Sequence, residues 1–87
     1  MTSEHSADLR FQRELNQNPC RKAFAARLDM TLKRKKFSST RLALSLGVRE
    51  SDVSLWRAGV TVPEGKQCRR LSRLLQVDIA WLCTGSG

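Results

Sequence analysis

Apolar residues recur along this chain at helical rather than alternating spacing. Ala23, Phe24, Arg27, Leu28, Thr31 and Leu32 fall on one side of a 3.6-residue period and predict a helix over about residues 20–35. Phe37 then turns inward, Ser38 or Ser39 is placed to cap a second helix ending at Leu46, and Leu42, Ala43 and Leu46 form its inner face. Gly47 occupies the reversal, where a left-handed residue is required, and Val48 returns to the core. Val53 and Trp56, three apart, are the inner pair of a third helix that begins at Arg49 or at Ser51 and stops at Ala58 and Gly59. Glu50, Ser51, Ser54, Leu55 and Arg57 are left off that face. Val60 to Pro63 is too short and too close to proline for a strand and reads as a loop. Pro63 suits the first turn of a fourth helix to about residue 76, with Cys68, Leu71, Leu74 and Leu75 inward and Lys66, Arg69, Arg70 and Arg73 outward. Asp78 caps a last short helix, IAWLC, closed by Gly85. The predicted fold is all-α, with five helices.

The first 19 residues have a different texture. Ala7, Phe11 and Leu15 make one short apolar stripe, which predicts a helix over about residues 6–17 capped by Ser6 and ended by Asn16, Asn18 and Pro19. Two readings stand: a frayed tail, or an arm that packs on a second subunit or reaches along DNA. The chain therefore divides into an N-terminal arm or short helix, residues 1–19, and a domain over residues 20–87.

Charge narrows the choice of partner. The 87 residues hold 16 Lys and Arg against 8 Asp and Glu, a net charge of +8, which favours a polyanion, nucleic acid first and an anionic membrane surface second. Four of the cations are consecutive, Lys33, Arg34, Lys35 and Lys36. They offset the negative end of the first helix, and their density also suits a position near phosphates.

Other classes are disfavoured. A single domain of this size leaves no room for a second, catalytic one, the one histidine, His5, lies in the arm, and no nucleophile, base and orienting group come together. An enzyme is not expected, nor a cofactor. Cys20, Cys68 and Cys83 are odd in number and widely spaced, which fits thiols in a reducing compartment better than a disulfide framework or a metal site. With no secretory signal and no apolar run long enough to span a bilayer, a cytoplasmic location is expected.

Two helices joined by a short turn at Gly47 and Val48 form a helix-turn-helix pattern. Leu46-Gly47-Val48, Ser51, Val53-Ser54, Trp56 and Gly59, followed by Pro63, Gly65, Leu71, Leu75, Val77 and Trp81-Leu82-Cys83-Thr84-Gly85, resemble the Cro and CI repressor-like family of phage and bacterial regulators. The resemblance covers about residues 20–85 and includes the FAARL pattern at residues 24–28. It implies a five-helix DNA-binding domain whose third helix enters the major groove, as a homodimer on a palindromic operator. It also implies base-reading roles for Glu50, Ser51, Ser54 and Leu55, and phosphate-facing roles for Ser39, with Thr40 beside it, and for Arg57. The chain departs from the family pattern near Ser39 and at Arg49, Glu50 and Leu55.

Each candidate contact has its own chemistry. Ser51 and Ser54 are short enough to let a helix backbone approach base edges. Glu50 can accept from cytosine N4 or complement the helix dipole, and Arg49 can read guanine or bind phosphate, as Lys35 and Lys36 can. Leu55 suits a thymine methyl or a half-exposed packing position. Trp56 and Trp81 read as core, Trp81 with a dimer contact as its second possibility. The expected function is a sequence-specific double-stranded DNA-binding transcription regulator, a phage or prophage repressor of CI or Cro type. The alternative is a non-enzymatic basic module that binds RNA or an anionic membrane surface, against which the absence of aromatics placed to stack on bases weighs for RNA.

Overall fold

Five helices follow one another in the computed structural model, which describes residues 18–85: α1 Asn18–Arg34, α2 Ser39–Leu46, α3 Glu50–Ala58, α4 Gly65–Leu75 and α5 Ile79–Thr84. No strand occurs among the described residues. The helix expected over residues 6–17, and His5, lie outside them.

The helix ends follow from local chemistry. Ser38 Oγ accepts from the Arg41 N–H at 3.1 Å at the start of α2, and Asp78 Oδ1 accepts from the Ala80 N–H at 2.8 Å at the start of α5. Gly47 ends α2 at φ 71°, and the Val48 N–H then donates to the Ala43 carbonyl at 3.0 Å, bringing Val48 back onto the core. At two other ends the left-handed residue is not glycine. Lys36, at φ 55°, lets the Phe37 N–H reach the Leu32 carbonyl at 2.8 Å, and Gln76, at φ 56°, lets the Val77 N–H reach the Ser72 carbonyl at 3.0 Å. Phe37 and Val77 pack against the core, so apolar contact holds both reversals against the cost of the side chain there.

The helices close a ring in which α1 packs on α3 and α5, α2 on α3 and α4, and α4 on α5. Every helix contributes to the core inside it: Phe24, Leu28 and Leu32 from α1, Leu42 and Leu46 from α2, Val53 and Trp56 from α3, Leu71 and Leu75 from α4, and Leu82 from α5. Each fully buried aliphatic or aromatic side chain stabilises such a core by about 1.5–3 kcal/mol. Two polar side chains drawn inward on α1 are hydrogen-bonded. Buried Thr31 donates to the Arg27 carbonyl at 2.8 Å, and half-buried Arg27 donates through Nε to the Leu82 carbonyl at 3.0 Å. Burial lowers the pKa of that guanidinium from its usual value.

Several expectations need correction. Asn18 and Pro19 open α1 rather than end an earlier element, a first-turn position that proline tolerates. Ala25, not Ala23, is the buried alanine of that turn, because Gly59 at the end of α3 comes close to α1 at Lys22 and Ala25. Pro63 is buried ahead of α4 and not in its first turn; Glu64 is still extended, and α4 starts at Gly65. Leu74 is 36% exposed, because the inner arc of α4 runs through Cys68, Leu71, Ser72 and Leu75 and Leu74 is rotated about 100° off it. Ser72 can occupy that arc because its hydroxyl donates to the Arg69 carbonyl at 2.9 Å.

Gly47 isolates the backbone requirement of the turn, since a Cβ there would meet nothing within 4 Å. Gly47→Ala should therefore lower stability by about 1 kcal/mol, the left-handed penalty less the entropy removed from the unfolded chain. Urea unfolding checks this; a loss several times larger would mean that the turn is constrained by packing instead.

Candidate nucleic-acid interface

The start of α3 resolves the choice between Arg49 and Ser51. Arg49 is the cap residue, extended at φ −78° and ψ 149°, and Glu50 is the first helical residue. An arginine side chain has no acceptor, so the usual cap is unavailable, and Asp52 supplies one from inside the first turn. Its Oδ2 accepts from the Arg49 backbone N–H at 3.3 Å and from Nε at 3.4 Å, while Oδ1 accepts from Nη2 at 3.3 Å. Hydrogen bonds from Arg49 hold the Asp52 carboxyl below its usual pKa. Asp52 is absent from the residues singled out in the sequence, although an acid three positions after a cap is the signal of a capping box.

On the face of α3 opposite Val53 and Trp56, Ser51 and Ser54 form an exposed row. Leu55 is 40% exposed at the edge of this row, and with Thr61, Val62, Glu64 and Gln67 it lines a shallow hollow beneath the α3–α4 connection. The connection is tied down by the Val60 N–H, which donates to the Leu55 carbonyl at 3.0 Å.

Two contacts join the N-terminal end of α2 to α3. Thr40 Oγ1 donates to Glu50 Oε2 at 2.9 Å, which turns Glu50 back towards α2. Arg57 Nη1 donates to Ser39 Oγ at 2.9 Å, while its Nε, at 3.1 Å, and its Nη2 both donate to Asp29 Oδ1. Lys33 Nζ pairs with the other oxygen of Asp29 at 2.9 Å. Hydrogen bonds from Lys33 and then Arg57 hold the Asp29 carboxyl below its ordinary range. One cluster thus links α1, α2 and α3, with the Arg57 side chain 26% exposed and that of Asp29 35% exposed.

The expected phosphate-facing residues Ser39, Thr40 and Arg57 are brought together with Glu50, which was expected to read a base, and Arg49 is exposed at the cap of α3. Lys35 is not among them. It lines a groove with Arg34, Gln76, Val77, Asp78 and Trp81, where α1 meets the α4–α5 junction. Lys36 is exposed at the left-handed end of α1, and the member of the basic run that joins the cluster is Lys33. Arg41, beside Thr40, stacks over the Phe37 ring at 4.7 Å from its centroid and was not anticipated. Asp29 was missed as well, because its bond to Arg57 spans 28 residues and no local spacing signals it.

The described residues contain no group of three or more His, Cys, Asp or Glu able to hold a metal ion. The three cysteines form no disulfide; Cys68 and Cys83 are buried and Cys20 is half-buried. Among the described residues, no helix is long and apolar enough to cross a membrane. No family model matches the chain, and no curated protein or solved structure does either.

The depressed pKa of Asp52 ties the first turn of α3 to pH. A carboxylate held below its unfolded value stabilises the fold fully above that value, about pH 4, and loses the contribution as pH falls through the lower folded value. Asp52→Asn should be less stable than the wild type at neutral pH, and the gap should close in acid. Urea midpoints across an acid titration check this; a gap that stays constant would remove Asp52 as the ionised cap.

Proposed function

We propose that the chain is a sequence-specific double-stranded DNA-binding regulator of transcription. It lays α3 in the major groove, with Ser51 and Ser54 at base edges and Leu55 at the rim of the contact. The observation that carries this reading is the exposed Ser51–Ser54 row on a short helix whose opposite face is pinned by Val53 and Trp56. Short side chains let the α3 backbone approach the bases, and their hydroxyls donate and accept there.

The cluster at the start of α2 supports the same reading. Ser39 and Arg57 lie together beside the exposed row, and the first backbone N–H groups of α2 are donors of the kind that bind phosphate. Glu50, turned towards Thr40, keeps a carboxylate off the central row and discriminates against close phosphates at that end. The resemblance to the Cro and CI repressor-like family supports a narrower form of the proposal: a phage or prophage repressor acting in the cytoplasm as a homodimer on a palindromic operator. Trp81, half-buried on α5, is the candidate for the dimer contact.

A second reading, a basic module for RNA or an anionic membrane surface, draws on α4. Lys66, Arg70 and Arg73 are exposed there and, among the described residues, make no ion pair.

Selection of bound duplexes from a random pool separates the two readings. A two-fold-related site should emerge, and its affinity should fall steeply with salt as counterions are released. Ser54→Leu should weaken the selected duplex by about 10-fold or more, the worth of one good base contact, and leave scrambled DNA nearly unaffected. Equal affinity of the wild type for selected and scrambled duplexes at physiological salt would refute the first reading; tight binding to anionic vesicles instead would favour the second.

A further inference from the structure

The Asp29 cluster sets a carboxylate between two cations, Lys33 and Arg57, the second of which also meets Ser39. We propose that Asp29 is a specificity-determining positioning residue: it fixes Arg57 against α2 and holds back Lys33, so that phosphate binding is coupled to the register of α3. The inference rests on the DNA-binding reading above.

Donor accounting supports it. A guanidinium has five N–H groups. Three are engaged in the described structure, two on Asp29 Oδ1 and one on Ser39 Oγ. One N–H remains on each terminal nitrogen of Arg57. Because Ser39 Oγ accepts from Arg57, its own hydroxyl hydrogen is left to donate elsewhere. Arg57 and Ser39 therefore offer a phosphate a small set of donors in one fixed arrangement, carried by α2 and α3 together. Without Asp29, Arg57 is a long, mobile cation that reaches phosphates from many placements of the protein on DNA.

The local charge points the same way. Asp29 sits between Lys33 and Arg57 and cancels one of their two charges, and both of its oxygens are occupied by them. Backbone phosphates are the same in every sequence, so an unrestrained pair of cations strengthens all binding, including binding out of register. A carboxylate there weakens indiscriminate attraction and preserves the arrangement that only a correctly seated α3 can use. A purely structural staple would tie α1 to α3 without altering the dependence of binding on salt or sequence.

The test compares the wild type, Asp29→Asn and Arg57→Lys on the duplex recovered from the random pool and on a scrambled duplex, across salt concentrations. Asp29→Asn should bind scrambled DNA more tightly and steepen its salt dependence by about one counterion. Its ratio of selected to scrambled affinity should fall by about 2- to 10-fold, the range for losing the pre-ordering of one long side chain. Arg57→Lys, which retains the charge but not the fork, should lose affinity for the selected duplex and retain it for the scrambled one. Thermal melting of each variant in isolation separates folding from binding, and Arg57→Lys keeps the question open to measurement should Asp29→Asn not fold. If the ratio and the salt slope stay at wild-type values while only the melting temperature falls, Asp29 is a staple and the inference is wrong. If the wild type itself shows no preference for any duplex, the DNA-binding reading fails and takes this inference with it.

Discussion

Val53 and Trp56 are the two buried side chains of α3, and the rest of the molecule is arranged to receive them. A helix of nine residues does not persist alone in water, because its first turn costs more than so few hydrogen bonds return. It survives here because those two side chains enter a core walled by α1 and α2, and because Gly47 and Gly59 let the chain turn sharply at both ends. So narrow an anchor has a structural consequence. Only one strip of α3 is committed to packing, which leaves Ser51 and Ser54 free of any duty to the fold. The ring of helices makes this possible by supplying, from α1, α4 and α5, the apolar surface that α3 itself lacks.

What could be read from the chain alone divides along the range of the interactions. The five described helices were legible because they depend on neighbours three and four residues away, as were the cap at Asp78 and the reversals at Gly47 and Gly85, whereas adjacent serines left the cap of α2 open between Ser38 and Ser39. The left-handed turns at Lys36 and Gln76 were not, because a long side chain gives no local sign of that conformation; Phe37 and Val77 hold them from outside. The exchange of Ala25 for Ala23 has a similar origin, since periodicity marks an arc of a helix but the position of Gly59 decides which edge of that arc is covered. The exposed row of α3 was visible by subtraction once Val53 and Trp56 were assigned inward. Its polar surroundings were not, because Asp29 meets Arg57 and Thr40 meets Glu50 only after the helices pack.

Those polar contacts change what the high positive charge means. In the sequence, the run from Lys33 to Lys36 looks like one basic patch. In the fold it is distributed around the end of α1: Lys33 faces Asp29, Lys35 faces the groove beside Asp78, and Lys36 sits on the turn. Arg49 at the cap of α3 and Arg57 in its last turn are each held by a carboxylate. The cations at the cap and in the last turn of α3 are therefore both tethered, Arg57 the more firmly, which suits contacts that must be made at one distance from α3. Exposed ion pairs add little to stability, so their value in this region lies in geometry.

Among the described residues, cations without an ion pair are found elsewhere, and the separation has a physical rationale under the proposed function. Arg70 and Arg73 of α4 lie beside Ser45 and Leu46, at the C-terminal end of α2, whereas Ser39, Thr40 and Arg57 gather at its N-terminal end. The eight residues of α2, rising about 1.5 Å each, hold the two regions apart. Free cations act through a field that extends over roughly a Debye length, about 8 Å at physiological salt, and raises the rate of encounter with any polyanion. Such a field cannot distinguish one sequence from another. Discrimination requires charges that do not move when the bases change, and those are the ones tied to Asp29 and Asp52. Under the proposed function, long-range attraction for DNA and the contacts that discriminate among sequences would therefore lie on different surfaces of the fold.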